Sequence, residues 1–366
     1  MSVDAALAHY TPIFQEYTEY HNAVMNDRDR ERNFHPQYVI ISPIAALSNR
    51  MRFLVAGVIY AIVTRRIVIL SGFGAGYQAQ FSDLFAPVIQ VERNVATGSA
   101  YNVVLEQYED MFCGDHLQHV KSIQTVRFHG YDFFVPELYL QPSFRQAYQA
   151  KLGRWDGEVF AYVYKHFFPY KLQLQSQIDE YVRSQFAGHY MVGMHIRSGG
   201  DFQEGMNEQD WSNYKLCADA LIPPEERHRV RFFAAVDTQA ARDKATSIWG
   251  DQNIVFFKNF LISDTPLGCQ QAAIDQALVA LCDLLVVTPA SSFSETSALL
   301  SYRKPAFFTN IRHGLYWYNK DSPYWVGEAC RTPQHMQMSQ EPILKHRLQV
   351  SCQKDCDPVV LHELLD

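Results

Sequence analysis

The sequence predicts an α/β protein made of two parallel-sheet halves with a cleft between them. Three observations lead there. The chain has 366 residues, and domains usually run to about 100–200 residues, so two domains fit the length. Short buried-strand patterns alternate with amphipathic helices near the start, and again from His189 onward. Hydrophobic residues make up 48% of the chain and charged residues 19%, the composition of a folded protein rather than a disordered one.

The elements follow in order. Residues 1–36 read as a helical, charge-rich lead-in, with Asp27–Arg32 as a solvated turn and Pro36 as its end. Tyr38–Ser42 (YVIIS) is a buried strand. Ala46–Arg50 is a turn, with Ser48 as the expected cap of the next helix. Met51, Leu54, Val55, Val58, Ile59 and Ile62 recur at helical spacing. Ile67–Leu70 is the next strand. Strand, helix and strand in so short a span form a βαβ unit, which makes the sheet parallel. Residues 75–188 read as helix-rich and aromatic-rich, ending in a helix over Leu172–Phe186.

The second series has strands at Tyr190–Ile196, Val230–Val236, Ile254–Phe257, Leu284–Thr288 and Pro305–Phe308. Helices are expected at Gln239–Ile248, Ala272–Leu281 and Phe293–Tyr302. Two such series give two Rossmann-like halves, with domains drawn at 1–188 and 189–366.

Composition also excludes. A net charge of −7 argues against a nucleic-acid binder, which would usually carry a basic surplus. The longest apolar run, Phe53–Val63, is too short to cross a bilayer, which takes about 20 residues. Met1–Phe14 has no basic start followed by an apolar run, and no Asn-x-Ser/Thr sequon occurs. Seven cysteines without a C-x-x-C pair make neither a disulfide framework nor a structural zinc site. Cys330, Cys352 and Cys356 cluster near the end, where one bridge and free thiols are both open.

Ligands of open parallel sheets bind beyond the carboxyl ends of the strands. Four segments fall there: Ala46–Arg50, His195–Asp201, Asp237–Thr238 and Thr288–Phe293. His195-Ile-Arg197-Ser-Gly-Gly-Asp201 follows the strongest strand. His195 and Arg197 alternate, so both are expected on one face. Arg197 offers a planar fork of donors suited to a diphosphate. Read as structure, the same arginine caps a neighbouring helix. Ser291, Ser292 and Phe293 join a strand to a helix whose first amides make an anion site. Ser292-x-x-Glu295 reads equally as a capping box. Asp237-Thr238 ends a strand, either as a reader of ribose or base or as a helix cap. Asn49-Arg50 ends the first loop, with Arg50 read as solvated. Gly72-Phe-Gly-Ala-Gly76 lacks the third glycine of a dinucleotide fingerprint, because Tyr77 stands there, and reads as a turn. No Walker, H-E-x-x-H or G-x-S-x-G motif occurs.

Taken together and in order, these segments resemble the inverting fucosyltransferase superfamily, nearest the plant-type family that includes xyloglucan fucosyltransferase. Tyr38–Leu70 is similar to that family's strand, Gly-Leu-Gly-Asn-Arg loop and helix. Val192–Arg197 (VGMHIR) resembles its H-x-R strand. Phe233–Thr238 is similar to its strand and acidic turn, and Ala272–Phe308 to its last motif. Ala46 and Ser48 stand where that loop has glycines, and each Cβ is expected to narrow the approach to a ligand.

The resemblance implies a GT-B fold, no cofactor, and GDP-fucose as donor substrate. It implies transfer without metal and with inversion. The implied partners are GDP-fucose and an oligosaccharide or glycoconjugate acceptor, with α-1,2 transfer to galactose among the linkages. A homodimer stays open. It implies that Arg197 clamps the β-phosphate and that His195 lies against the nucleotide. Asp237 would face the guanosine. Ser291, Ser292 and Phe293 would hold the diphosphate, and Asn49 would stand near donor and acceptor. Asp201 and Glu204 are the nearest carboxylates after Arg197, so Asp201 is the candidate base. The family works in the Golgi lumen; with no signal or anchor legible, a cytoplasmic location stays open beside it. Two other classes remain. One is a degenerate glycosyltransferase that binds a glycan or protein. The other is a sulfotransferase-like enzyme, whose phosphate loop would resemble Arg197-Ser-Gly-Gly.

Overall fold

The computed structural model describes residues 3–26, 35–75, 77–92, 100–104, 116–131, 133–139, 141–153, 159–198, 208–258, 265–288, 291–301, 306–310 and 314–317. The chain divides between Pro169 and Tyr170 into two compact units.

The first unit opens with α1 (Val3–Asn26), β1 (Tyr38–Pro43), α2 (Leu47–Thr64) and β2 (Ile67–Leu70). It continues through α3 (Phe81–Leu84), β3 (Tyr101–Val104), α4 (His116–Val120) and β4 (Thr125–Gly130). Three helices close it: α5 (Val135–Tyr139), α6 (Pro142–Leu152) and α7 (Val159–Phe167). The sheet runs β2–β1–β4–β3, with every pairing parallel. The βαβ unit expected from Tyr38 to Leu70 is therefore present.

Helix α2 packs on β1 and β2 and against α6 and α7. Gly57 permits the close approach, since a Cβ there would stand 2.3 Å from Ile41 Cγ1. The apolar run Phe53–Val63 is only the middle of this helix. By length and overall composition the 18-residue helix could cross a membrane, yet 89% of it is buried inside the unit.

Two expectations for this region are corrected. Helix α2 begins at Leu47 with Ala46 as its N-cap, so Ser48 is a buried first-turn residue and not the cap. Ala46 has φ −77° and Ser48 is helical, backbone that any residue adopts. The left-handed residue is Ala45, at φ +65°, a conformation that disfavours a Cβ.

Arg50 is the second correction. It is only 2% exposed. Its Nε donates to the Ala45 carbonyl at 2.6 Å. Its terminal nitrogens donate to Pro43 O (3.0 Å), Phe73 O (2.6 Å) and Ala75 O (2.8 Å). The guanidinium also lies over the rings of Phe73 and Tyr77. One side chain thus holds the loop after β1 to the loop after β2, and it keeps Ala45 in its left-handed turn. The glycine-rich segment after β2 supplies two of these acceptors, Phe73 O and Ala75 O.

The region read as helix-rich contains β3 and β4, and β4 is an inner strand of the sheet. Its pattern alternates, with Val126 and Phe128 buried and Arg127 and His129 half-buried. That is the period of a strand, carried by polar residues that break the apolar run.

The second unit begins with α8 (Leu172–Tyr181), extended by a π-helical turn over Val182–Phe186. Then come β5 (Tyr190–Ile196), α9 (Glu208–Leu221), β6 (Val230–Val236), α10 (Gln239–Trp249) and β7 (Ile254–Val255). After them follow α11 (Pro266–Leu281), β8 (Leu284–Val287), α12 (Ser292–Leu300), β9 (Ala306–Asn310) and β10 (Gly314–Trp317). The helix before residue 188 belongs here and not to the first unit. Tyr181 packs edge-on against Phe233 and Phe257, and Tyr170 Oη donates to Ala273 O at 3.4 Å. A boundary at 188 separates these partners; the contact division at 169/170 keeps them together.

The second sheet runs β10–β9–β8–β5–β6–β7, parallel throughout except for β10, which pairs antiparallel with β9. The chain leaves β5 toward β6 and β7, then returns to the other side as β8 and β9. The order therefore reverses between β5 and β8. Gly193 lets α11 end against β5, since a Cβ there would meet Val279 O and Cys282 Cβ at 2.9 Å.

Arg50→Met should cost the first unit about 2–4 kcal/mol, because the carbonyls it satisfies lose their donors while remaining buried. Arg50→Lys should restore little, since an ammonium cannot span the same fork. Denaturant unfolding of the three proteins measures this; equal midpoints would refute it.

Candidate functional site

The candidate residues of the second unit gather at the carboxyl ends of three neighbouring strands, β8, β5 and β6. The junction of β8 and β5 is where the strand order reverses, the place where open parallel sheets bind ligands.

The main chain at the end of β5 is tied to both neighbours. The His195 carbonyl accepts from Thr288 N (3.0 Å) and Thr288 Oγ1 (2.9 Å). The Tyr214 hydroxyl of α9 lies 2.8 Å from the same carbonyl and 2.6 Å from Val286 O, so its one proton serves both. Arg197 N donates to Thr288 Oγ1 at 3.1 Å. On the other side, Ser198 N donates to the Asp237 carboxylate, at 2.9 Å to Oδ1 and 3.1 Å to Oδ2. Ser198 Oγ donates to Asp237 Oδ1 at 3.0 Å and lies 2.9 Å from Thr238 Oγ1.

His195 and Arg197 do not share an environment. His195 is 5% exposed. Its ring stacks on Phe293, with centroids 4.4 Å apart and planes 23° apart, and its Nδ1 lies 2.7 Å from Ser294 Oγ. Arg197 is exposed. The strand ends at Ile196, so the alternation used to pair the two residues does not extend to Arg197. Burial drives the His195 pKa down to about 3, and the nearby Arg197 pushes the same way against the opposing Asp237. The imidazole is neutral, and it joins the first turn of α12 to β5.

Helix α12 starts at Ser292, with the buried Ser291 as N-cap and no side-chain cap bond. The capping box expected at Ser292 and Glu295 is thus displaced by one residue and not formed. Ser292 and Phe293 are half-buried in the first turn. Thr238, not Asp237, caps α10, its Oγ1 accepting from Ala241 N at 3.1 Å. Asp237 bonds Ser198 instead, and sequence reasoning did not anticipate this. Tyr214 was missed, since it falls in an unassigned stretch that no motif marks. Thr288 and Ser294 lie in the segment singled out from the sequence, but their bonds to the end of β5 were not anticipated.

Asn49 lies in the first unit, half-buried in the first turn of α2. Asp201 and Glu204 fall outside the described residues, as do Cys330, Cys352 and Cys356. Among the described residues, Cys269 and Cys282 are buried. No group of three or more His, Cys, Asp or Glu is placed to hold a metal ion among the described residues.

Known structures share this architecture. FUT1 of Arabidopsis thaliana, an arginine-to-lysine mutant in complex with GDP, matches with a TM-score of 0.66 at 14% identity, over 82% of this chain and 78% of that chain. NodZ, an α-1,6-fucosyltransferase of Bradyrhizobium soaked with GDP-fucose, matches with a TM-score of 0.54 at 16% identity, over 77% of this chain and 98% of that chain. The chain has the GT-B fold of these fucosyltransferases. No protein-family model matches it, and no curated protein matches it in sequence. Within the GT-B fold, Arg197, Asp237 and Ser291–Phe293 lie together at the strand ends of the second unit, and Asn49 is carried by the first.

His195 also gives the GT-B fold a pH signature. Unfolding raises its pKa from about 3 toward the ordinary 6.5. Below pH 6.5 the unfolded chain takes up a proton that the folded one refuses. Its contribution to stability is therefore present above 6.5 and lost as the pH falls toward 3, at about 1.4 kcal/mol per pKa unit. His195→Gln should flatten that part of the stability–pH curve. Parallel curves for wild type and variant would contradict a buried neutral imidazole.

Proposed function

We propose that the chain is a fucosyltransferase. It takes fucose from GDP-fucose and delivers it to a glycan hydroxyl with inversion and without a metal, and α-1,2 transfer to galactose is the linkage to try first. The observation that carries the reading is the exposed Arg197 at the β5–β8 reversal, with its backbone bound to Thr288. The fold likeness to an Arabidopsis FUT1 in complex with GDP and to NodZ soaked with GDP-fucose supports it.

The chemistry follows from charge. The bond between fucose C1 and the β-phosphate oxygen breaks, and its electron pair leaves with GDP. The acceptor oxygen bonds to C1 from the opposite face, and its proton passes to a carboxylate, for which Asp201 is the first candidate. The leaving diphosphate gains negative charge. Arg197 supplies a forked cation for it. Ser291, Ser292 and the main chain of Phe293 supply donors at the positive end of α12. His195 is proposed to act through Phe293, holding that first turn against β5. Asn49 is proposed for the acceptor side. Asp237 belongs to the donor side, and its part is argued below.

Arg197→Ala should lower transfer by about a thousandfold, the cost of losing one electrostatic donor to a developing anion. Its unfolding midpoint should hold, since the side chain is exposed. Arg197→Lys should recover only part of the rate. The check is steady-state transfer from GDP-fucose with chelator present, against a panel of galactose-terminated acceptors. Full turnover by Arg197→Ala would remove Arg197 from the reaction. GDP binding by the wild type without transfer to any acceptor would favour the degenerate, binding-only reading.

A further inference from the structure

We infer that Asp237 is a positioning residue for Arg197, acting through Ser198, and does not read the nucleotide base. The inference rests on the proposal that a GDP-sugar occupies the strand ends of the second unit.

A strand-terminal aspartate in such a sheet is an obvious partner for the hydroxyls of a ribose or the N–H groups of a base. Asp237 has other work in this fold. Both of its carboxylate oxygens lie within hydrogen-bond distance of Ser198 N, and Oδ1 also accepts from Ser198 Oγ. The Ser198 hydroxyl is held a second time by Thr238 Oγ1 at 2.9 Å. Thr238 is fixed in turn as the cap of α10. The residue after Arg197 is therefore bound to β6 at two atoms.

The residue before the bond to Ser198 is bound on the opposite side. Arg197 N donates to Thr288 Oγ1, and Thr288 Oγ1 donates to the His195 carbonyl. Arg197 leaves β5 between two anchors, one on β8 and one on β6. Its side chain is exposed, and its starting point is set by the main chain that carries it. The main chain on either side fixes it, and Asp237 supplies the β6 half. Bonds from main-chain N–H to an ionised carboxylate are among the stronger hydrogen bonds. A catalytic group displaced by about 1 Å can lose about two orders of magnitude in rate.

The two roles for Asp237 separate cleanly. A carboxylate that reads guanine accepts from its N1–H and 2-amino groups, and hypoxanthine lacks the 2-amino group. A base reader would then make GDP bind better than IDP, and Asp237→Asn would abolish that preference as fully as Asp237→Ala. A positioning residue weakens GDP and IDP by the same factor. Asparagine keeps an oxygen for Ser198 N, so Asp237→Asn retains much of the affinity that Asp237→Ala loses.

The experiment has two arms on the full chain. Amide hydrogen exchange of the free protein reads the peptide that holds Ser198. Calorimetry reads GDP and IDP binding to wild type, Asp237→Asn, Asp237→Ala and Ser198→Ala. Exchange at Ser198 should quicken at least about tenfold in Asp237→Ala. GDP and IDP should weaken together, with Asp237→Ala worst and with Asp237→Asn and Ser198→Ala milder. Calorimetry separates displacement from unfolding, since a misplaced Arg197 raises Kd while an unfolded fraction lowers stoichiometry. Unchanged exchange at Ser198, or collapse of the GDP-to-IDP ratio in Asp237→Asn, would overturn the inference. Failure of the wild type to bind either nucleotide would refute the proposed donor; the exchange arm would still decide whether Asp237 holds Ser198.

Discussion

The main-chain oxygen of His195 accepts from Thr288 N and Thr288 Oγ1 and shares the proton of the Tyr214 hydroxyl. These contacts join β5, β8 and α9 at the point where the strand order reverses. The sheet chemistry ends there, and side chains take over its work. Thr288 carries the bonding one residue further, to Arg197 N, and Asp237 carries it to Ser198 N. An exposed arginine can be placed to within a fraction of an ångström only if its main chain is fixed. Those two side chains supply the fixing where no ladder bond remains.

The buried imidazole serves the same end from below. His195 is desolvated and neutral, and its stacking on Phe293 and contact with Ser294 bind α12 to β5. The cost is an acid-sensitive group in the middle of the site. The gain is a helix start and a strand end held in one geometry, with the cation of Arg197 on one and the first-turn amides on the other. In the first unit Arg50 does comparable work, holding two loops by their carbonyls just beside Asn49.

The legible parts of the fold were those written in side-chain periodicity. β5 and β6 were readable to the residue, because seven mostly apolar positions have no other stable home than a buried strand. β4 was not, because Arg127 and His129 break its run, although its alternation is that of a strand. Arg50 was misread as solvated because a charged residue is buried only where carbonyls converge, and that convergence comes from two loops about 25 residues apart. At the site the residue types were legible and the pairings were not. Sequence marks Asp237 as a carboxylate at a strand end, but only the register of β5 on β6, which sets Ile196 opposite Val236, shows that Ser198 reaches it. The boundary near residue 188 failed for a similar reason: Tyr181 meets Phe233 and Phe257 only after folding.

The proposal at the centre of this account is that the second unit grips a guanosine diphosphate sugar by an arginine and a helix start, with no metal. Calorimetric titration of the full chain with GDP-fucose and UDP-galactose, in excess chelator, tests it most directly. The account predicts one site per chain for GDP-fucose, at micromolar affinity typical of such donors (on the order of −8 kcal/mol), and no heat for UDP-galactose. Binding that appears only when a divalent cation is restored, or equal binding of both donors, would contradict it.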